Sequence, residues 1–506
     1  MTTQPQSGTA SRRAVLTYAA AILGTVALAA CGGSAPAATT ATSAAGTAAV
    51  AASAPASAVT GAAATASPIA TSQTATASQA SLSAPANVAP AGAAPEVIWS
   101  SWATDDLGIK REMEQLGLFT LAHPEIKVTR ATVPSAGYQD KLLAGLAGGT
   151  GPDVFRDNPA DAIPLAQKGQ IASLDALLQT SKGGWWDTAD VKPGVMGWAK
   201  AMGHQYGFPM GTGAYYALDI NRDLFHAAGI ADPALGYNDP AWTFDAVLAA
   251  AQKLTKGDAT APTQLGIDDG MKWVYLHPVV LSFGGNYMDP KTGAFLWTEQ
   301  AALDAIQWVA DLRLKQHVSP TPEQTPHGEF SYVNGKLGLS WSTFNLGMYL
   351  ISTVGNHFNW DIIPPPHQPG KPPVVWFYVS WWVENKTSKV KDAAWTFHYW
   401  LGGPDGQRPA VEYAWEAPHF TSNDSHFGFR MGTEGAQKNL AVAKDFLKYT
   451  SPDRPEINPR YNDAQKALST ALASIATGKI DARTAMEQIK TQMDTILKQG
   501  MAEANP

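Results

Sequence analysis

No charged residue occurs between Ala14 and Pro95, and from Gly32 onward this stretch is almost entirely Ala, Ser, Thr, Pro and Gly. Such a tract lacks the large apolar side chains whose burial would offset the entropy of ordering a backbone. The sequence therefore predicts coil over 31–95 and confines folding to 96–506. About 64 residues of this coil would span on the order of 40 Å, enough to hold a folded body away from a surface. A glycosylated Ser/Thr stalk has the same composition. The remaining body of about 410 residues is too long for one hydrophobic core and long enough for two lobes.

The tract begins at Cys31, the one cysteine in 506 residues. A lone thiol closes no disulfide within the chain and builds no cysteine metal cluster. Upstream, Arg12 and Arg13 precede an apolar run ending in Ala29 and Ala30, the layout of an export signal over 1–30. The run is short for a membrane span. Leu28-Ala29-Ala30-Cys31 resembles the lipobox of bacterial lipoproteins, in which the signal is cut before the cysteine and lipid is attached to it. An incidental cysteine in an N-terminal anchor is the plainer alternative. Ser11-Arg12-Arg13 resembles a twin-arginine signal with loosely matching apolar positions, so Sec and Tat export both stay open. The expected place is outside the cytoplasm, lipid-anchored at the cell membrane.

The formal charge of −7 becomes −9 without Arg12 and Arg13, and Lys and Arg form no cluster of the kind a nucleic-acid surface needs. The chain is only 16% charged yet carries 17 Trp, many beside Gly, Ser or Pro, as in "WSSW", "GGWW", "LSWS", "VSWWV" and "EYAW". An aromatic face beside hydrogen-bonding groups suits a sugar ring, whose C–H face packs on the π surface while its hydroxyls take directed bonds. Core and lobe-lobe packing would use the same residues.

"EVIWSSWA", "EIKVTRATVP" and "GPDVFRDNP" read as strands separated by two helical stretches, the pattern of an open, largely parallel α/β sheet that binds ligands at its strand ends. Trp102 with Asp105, and Asp157 with Asn158, follow such ends. Pro209, Gly211 and Gly213 suit a chain crossing that acts as a hinge, after which Tyr215 and Tyr216 alternate and Tyr215 is assigned to the ligand. Thr243 is placed to cap a helix under Trp242. Alternation in "WFYVSWWVEN" puts Tyr378, Ser380 and Trp382 on one face and Phe377, Val379 and Trp381 on the other. His277 has no Glu at metal-ligand spacing, so no metal is expected, and no motif asks for a cofactor.

"LAGGTGPDVF", "QYGFPMGTGAYYALDINRDLFHAAGI", "AWTFDAVLAAAQKLT", "YVNGKLGLSWSTF", "VSWWVENKTSKVKDAAWTFHYWL" and "ALASIATGKIDARTAMEQI" together resemble the ordered landmarks of family 1 extracellular solute-binding proteins, the receptors of carbohydrate ABC importers. That resemblance implies a two-lobed, periplasmic-binding-protein-like α/β fold with hinge crossings. Lobe 1 would hold 96–210 plus 365–405, and lobe 2 would hold 211–364 plus 406–506, with crossings at "DIIPPPHQPGKPP" and "LGGPDGQRP". It implies ligand contacts from Trp273 or Tyr275, from Ser340 and Trp341, from Trp381 with Trp382 beside it, and from Arg460 near Tyr461. It also implies a monomer that binds sugar or oligosaccharide and meets separate permease subunits, since the chain has no phosphate-binding loop of its own. A polyol phosphate would need a cation, for which Arg156 and Arg460 are nearest.

The rival class is an exported glycoside hydrolase or lyase, with Asp105, Asp157, Glu384, Glu412 and Glu416 as candidate carboxylates. No Gly-x-Ser-x-Gly elbow is present, and the family binds without chemistry.

Overall fold

The computed structural model describes residues 94–506 except 104–105, 135, 182–186, 215, 325–329, 343–349, 352, 431–438, 440–441, 443–444 and 505–506. The signal, Cys31 and the tether lie outside the described residues, as do Asp105 and Tyr215.

Among the described residues, ten strands form two five-stranded sheets, and a short pair at 200–205 stands apart from them. In the first half of the chain, β1 (Glu96–Ser101), β2 (Lys127–Thr132) and β3 (Val154–Asp157) alternate with α1 (Asp106–Ala122) and α2 (Tyr138–Ala147), and α3 (Pro159–Gln167) follows β3. β4 (Gly207–Ala214) completes what this half gives to the first sheet, and β5 (Ala217–Asn221) opens the second. Next come α4 (Phe244–Leu254), β6 (Lys256–Asp258), β7 (Ala261–Ile267), α5 (Trp273–Ser282), α6 (Gln300–Leu314), β8 (Leu337–Ser342) and β9 (Trp360–Ile363). The chain then returns to the first sheet with β10 (Phe377–Glu384), α7 (Lys391–Leu401) and α8 (Pro404–Glu412), and it ends on α9 (Tyr461–Ala476) and α10 (Ala482–Ala504).

The first sheet has the order β2-β1-β3-β10-β4. β2, β1 and β3 run parallel, as their helical connections require, whereas β10 lies antiparallel to both β3 and β4. The second sheet has the order β9-β5-β8-β7-β6 and is mixed. Pro209, Gly211 and Gly213 lie within β4, and the change of sheet comes between Ala214 and Ala217. The second crossing falls between β9 and β10, in the proline-rich segment.

The expected third crossing at "LGGPDGQRP" is instead α8, packed on the first sheet's α1, where Gln115 Nε2 donates to Gly406 O at 2.6 Å. Tyr413 Oη continues that layer by donating to Glu114 Oε1, and Arg430 pairs with Glu412. Packing thus keeps 406–430 with the first sheet, beyond the expected boundary at 405. Pro404 sits in the first turn of that helix, where its missing N–H costs nothing, so the Gly and Pro content that suggested a crossing starts α8 instead.

Local signals account for much of this. Thr243 caps α4 by accepting from Ala246 N, and Trp242 is buried above it, its Nε1 donating to Pro364 O. One apolar core lies between α4, α5, α6, α9, α10 and the second sheet. The first sheet is covered on one face by α1 and α7, with Trp99, Phe119, Trp382, Phe397 and Trp400 between them, and on the other by the layer around Phe155, Ile163 and Trp381. No helix of the described residues is long and apolar enough to cross a membrane.

Candidate functional site

The ends of the first sheet's strands face α5 and α9 across a cavity of about 510 Å³, within the range typical of small-molecule sites, ~300–1,000 Å³. The first sheet and its helices supply Trp102, Tyr138, Gln139, Arg156, Asn158, Asp161, Tyr378 and Ser380. Across from them stand Trp273 and Val274 at the start of α5 and Tyr461 at the start of α9. Trp376, in the second crossing, lies between the two groups.

The first-sheet wall is a connected polar and aromatic surface. The Arg156 guanidinium lies 3.9 Å over the Trp102 ring, a cation–π arrangement. Trp102 meets Tyr138 edge-on at 5.1 Å, and Tyr138 Oη donates to Arg156 O at 2.9 Å. Arg156 Nη2 donates to Ser380 Oγ at 3.2 Å, and Ser380 Oγ donates to Asn158 Oδ1 at 3.1 Å. Strand alternation brings Trp376, Tyr378 and Ser380 to this end of β10, with a register break between Tyr378 and Ser380.

On the opposite wall Trp273 stacks on His277 at 4.5 Å and on Trp297 at 5.2 Å, and its ring also approaches Tyr461 at 6.0 Å and Trp376 at 6.3 Å. His277 is fully buried behind it, beside Asp453. Among the described residues no group of three or more metal-ligating side chains is assembled.

Asp161 is held from both sides. Asn462 Nδ2, next to Tyr461 on α9, donates to Asp161 Oδ1 at 2.8 Å. Burial pushes the Asp161 carboxyl above its ordinary value, against hydrogen bonds from Asn462 and Asn158. Gln167 Nε2 adds a second contact between α3 and the C-terminal helices, to Glu503 O at 3.1 Å.

Of the ligand contacts expected from sequence, Trp102, Asn158, Trp273 and Tyr378 line this cavity, as do Ser380, Tyr461 and the candidate cation Arg156. Asp157 lies beneath it, fully buried, with Oδ1 accepting from Asn158 N. Its carboxyl is pushed well above the usual range by burial and by nearby Asp161. Tyr275 points elsewhere because two helical steps rotate it to the far side of α5 from Trp273, where it packs on the second core. Trp381 faces the opposite side of β10 and donates to Trp198 O at 2.9 Å. Trp382 shares the face of Ser380 but lies one pleat deeper, under α7 against Trp99. Arg460 turns away into an ion pair with Glu503, leaving its neighbour Tyr461 at the cavity.

Ser340 and Trp341 belong to a different arrangement. Trp341 is buried in the second core, stacked on Tyr216 at 5.8 Å. Its backbone N donates to Asp268 Oδ1 at 2.8 Å, and Ser340 Oγ donates to Oδ2 at 2.7 Å. Burial nevertheless pushes Asp268 up to about 7. The native state therefore holds this proton more tightly than the unfolded chain, where the value is ~3.9, and the stability that this supplies at low pH is lost as pH rises through ~4 to 7. Asp268→Asn removes that slope. Urea midpoints taken at about pH 5 and 8 should fall more steeply for the native chain than for the variant, and parallel profiles would refute the assignment.

Residues 100–408 match the family described as bacterial extracellular solute-binding protein. The chain belongs to that family. A curated relative, an uncharacterized lipoprotein in the oleD 5′ region of Streptomyces antibioticus, is 24% identical over 286 residues, 53% of this chain. The match spans 57% of that relative's own length. The ABC substrate-binding protein Lmo0181 from Listeria monocytogenes, solved with cycloalternan, superposes with a TM-score of 0.68 at 19% identity over 81% of this chain and 99% of that one. UgpB from Mycobacterium tuberculosis, solved with glycerophosphocholine, gives 0.66 at 16% identity over 81% and 100%. The solute-binding protein thus has the two-lobed, periplasmic-binding-protein-like fold.

Several lining residues of this solute-binding protein carried weak sequence signals. Tyr138, Gln139 and Asp161 sit in the first turns of helices that follow β2 and β3, so extending the strand-end argument by a few residues reaches them. Trp376 extends the alternation of Tyr378 and Ser380 back by one step into the crossing.

Proposed function

We propose that this solute-binding protein is an extracytoplasmic receptor that captures a carbohydrate, such as an oligosaccharide or glycoside, by closure of its two lobes and presents it to the permease of an ABC importer. The observation that carries this reading is the cavity wall itself. Six aromatic rings, those of Trp102, Tyr138, Trp273, Trp376, Tyr378 and Tyr461, alternate with the hydrogen-bonding groups of Gln139, Arg156, Asn158, Asp161 and Ser380. Rings match the apolar faces of a sugar, and amides, hydroxyls and charges match its rim. The lobes touch across the cavity through Asn462 and Asp161, so a ligand held by both walls favours the closed form.

Binding without chemistry agrees with the lining, in which Asp161 is the one carboxylate among the described residues. Glu384 lies beside His398, Glu412 pairs with Arg430, and Glu416 accepts from Gln407, all away from the cavity. A second reading, a glycerophosphodiester or other polyol phosphate, is favoured by Arg156 at the cavity and by the glycerophosphocholine held by UgpB.

The test is intrinsic tryptophan fluorescence of a chain beginning near Ala94, titrated with mono-, di- and oligosaccharides and glycerophosphodiesters, each recovered and checked for product. A saturable shift with intact sugar supports the receptor. Product formation would replace it with an enzyme, and a response confined to phosphodiesters would select the second reading.

We also propose lipid anchoring at Cys31, supported by its lipobox-like context and by the lipoprotein among its relatives. Cys31→Ser should move the protein from the membrane fraction to the medium or periplasm. Retention of the variant on membranes would rule out the thiol as the anchor.

A further inference from the structure

We propose that the carbohydrate taken by this cavity carries a cationic amine, and that Asp161 is the group that recognises it, in a cavity that the rings of Tyr461 and Trp273 also line. This rests on the receptor reading above and names its ligand class more narrowly.

Three observations converge on Asp161. It faces the cavity, and its partners are neutral amides: Asn462 Nδ2 at 2.8 Å and the side chain of Asn158. Among the described residues no Lys, Arg or His forms an ion pair with it. Arg156, the cation of the same cavity, is engaged over Trp102 and with Ser380 and makes no ion pair with Asp161. Asp161 is part-buried at the cavity wall, and a ligand that fills the cavity would displace the water remaining on its carboxylate. That desolvation is costly without a counter-charge, which a ligand ammonium would supply.

The surroundings suit a cation as well. Tyr461 adjoins Asn462, and its ring lies 6.0 Å from that of Trp273, which in turn approaches Trp376. Ring faces attract an ammonium through their quadrupoles, whereas a neutral hydroxyl gains only the hydrogen bond. Burial already raises the Asp161 carboxyl, and an adjacent ammonium would reverse that shift. Beside Asp161, the linked side chains of Asn158, Ser380 and Arg156 line the same cavity and offer hydrogen bonds to the hydroxyls of the same molecule.

Calorimetry with two disaccharides of one skeleton tests this: the β-1,4 glucosamine dimer and cellobiose, which differ at the amine-bearing carbons. Asp161→Asn keeps the acceptor for Asn462 and removes the charge, and an unchanged thermal midpoint would show that it folds. The native protein should bind the amine form at least about tenfold tighter, and the variant should lose that preference. Equal or tighter binding of cellobiose, or a preference that survives in Asp161→Asn, would overturn the proposal. So would silence of both disaccharides while another neutral sugar binds. If no carbohydrate binds at all, it is the receptor reading that fails, and the amine proposal falls with it.

Discussion

Replacing Glu112 with alanine is expected to cost about 3–5 kcal/mol of folding stability, the range for breaking a buried ion pair from one side. Glu112 is fully buried under the end of β1, where Ser101 Oγ donates to both of its oxygens at 2.7 and 2.8 Å. The Arg130 Nε also donates to it, and Arg111 Nη2 lies 3.7 Å away with its guanidinium over the Trp415 ring. One carboxylate thus serves two arginines. Arg111 is buried, whereas Arg130 also donates to Thr132 Oγ1 and to Ala103 O at the exposed edge of the sheet. Truncating Glu112 leaves the buried Arg111 guanidinium without a carboxylate, a far larger penalty than the lost hydrogen bonds. Glu112→Gln keeps the shape and tests the charge alone. Urea midpoints at constant slope give the answer. A loss below ~1 kcal/mol for both variants would mean that water or another group compensates the arginines.

That cluster also shows why sequence reasoning reached some parts of this molecule and not others. The β-α-β-α-β succession at 96–157 was readable because each element carries its own signal: branched strands, helical spacing and terminal Gly or Pro. The strand-end rule then led to Trp102 and Asn158. What periodicity cannot supply is depth along a strand or the partner at long range. Alternation groups Tyr378, Ser380 and Trp382 on one face, yet α7 covers the third of them. Arg460 and Tyr461 are adjacent, and only the docking of α10, which brings Glu503 to Arg460, decides which one turns toward the cavity. Ser340 and Trp341 look like a strand end open to a ligand until Asp268, more than 70 residues away, takes both of their donors. Likewise α8 resembles a crossing in its Gly and Pro content, and its packing on α1 rests on contacts nearly 300 residues apart in sequence.

Two tryptophans separate binding from folding. Trp102→Ala removes the ring that supports Arg156 and forms one wall of the cavity, where Trp102 is only partly buried. Central aromatic anchors of this kind cost roughly 2–3 kcal/mol on truncation, which is about a thirty- to 150-fold rise in Kd. The loss should exceed that of the ring contact alone, because Arg156 is then free to leave Ser380 and the acceptor geometry at Asn158 loosens with it. Trp381→Phe supplies the contrast. Its indole is wholly buried on the other face of β10 and donates to Trp198 O, so the variant should unfold at lower urea while holding ligand within about twofold of the native protein. Fluorescence titration and urea unfolding of both variants decide the matter. If Trp102→Ala binds as tightly as the native chain, the cavity on the first-sheet wall is not where the ligand sits. If instead Trp381→Phe abolishes binding with stability intact, the ligand reaches the opposite face of the strand, and the site must be redrawn around it.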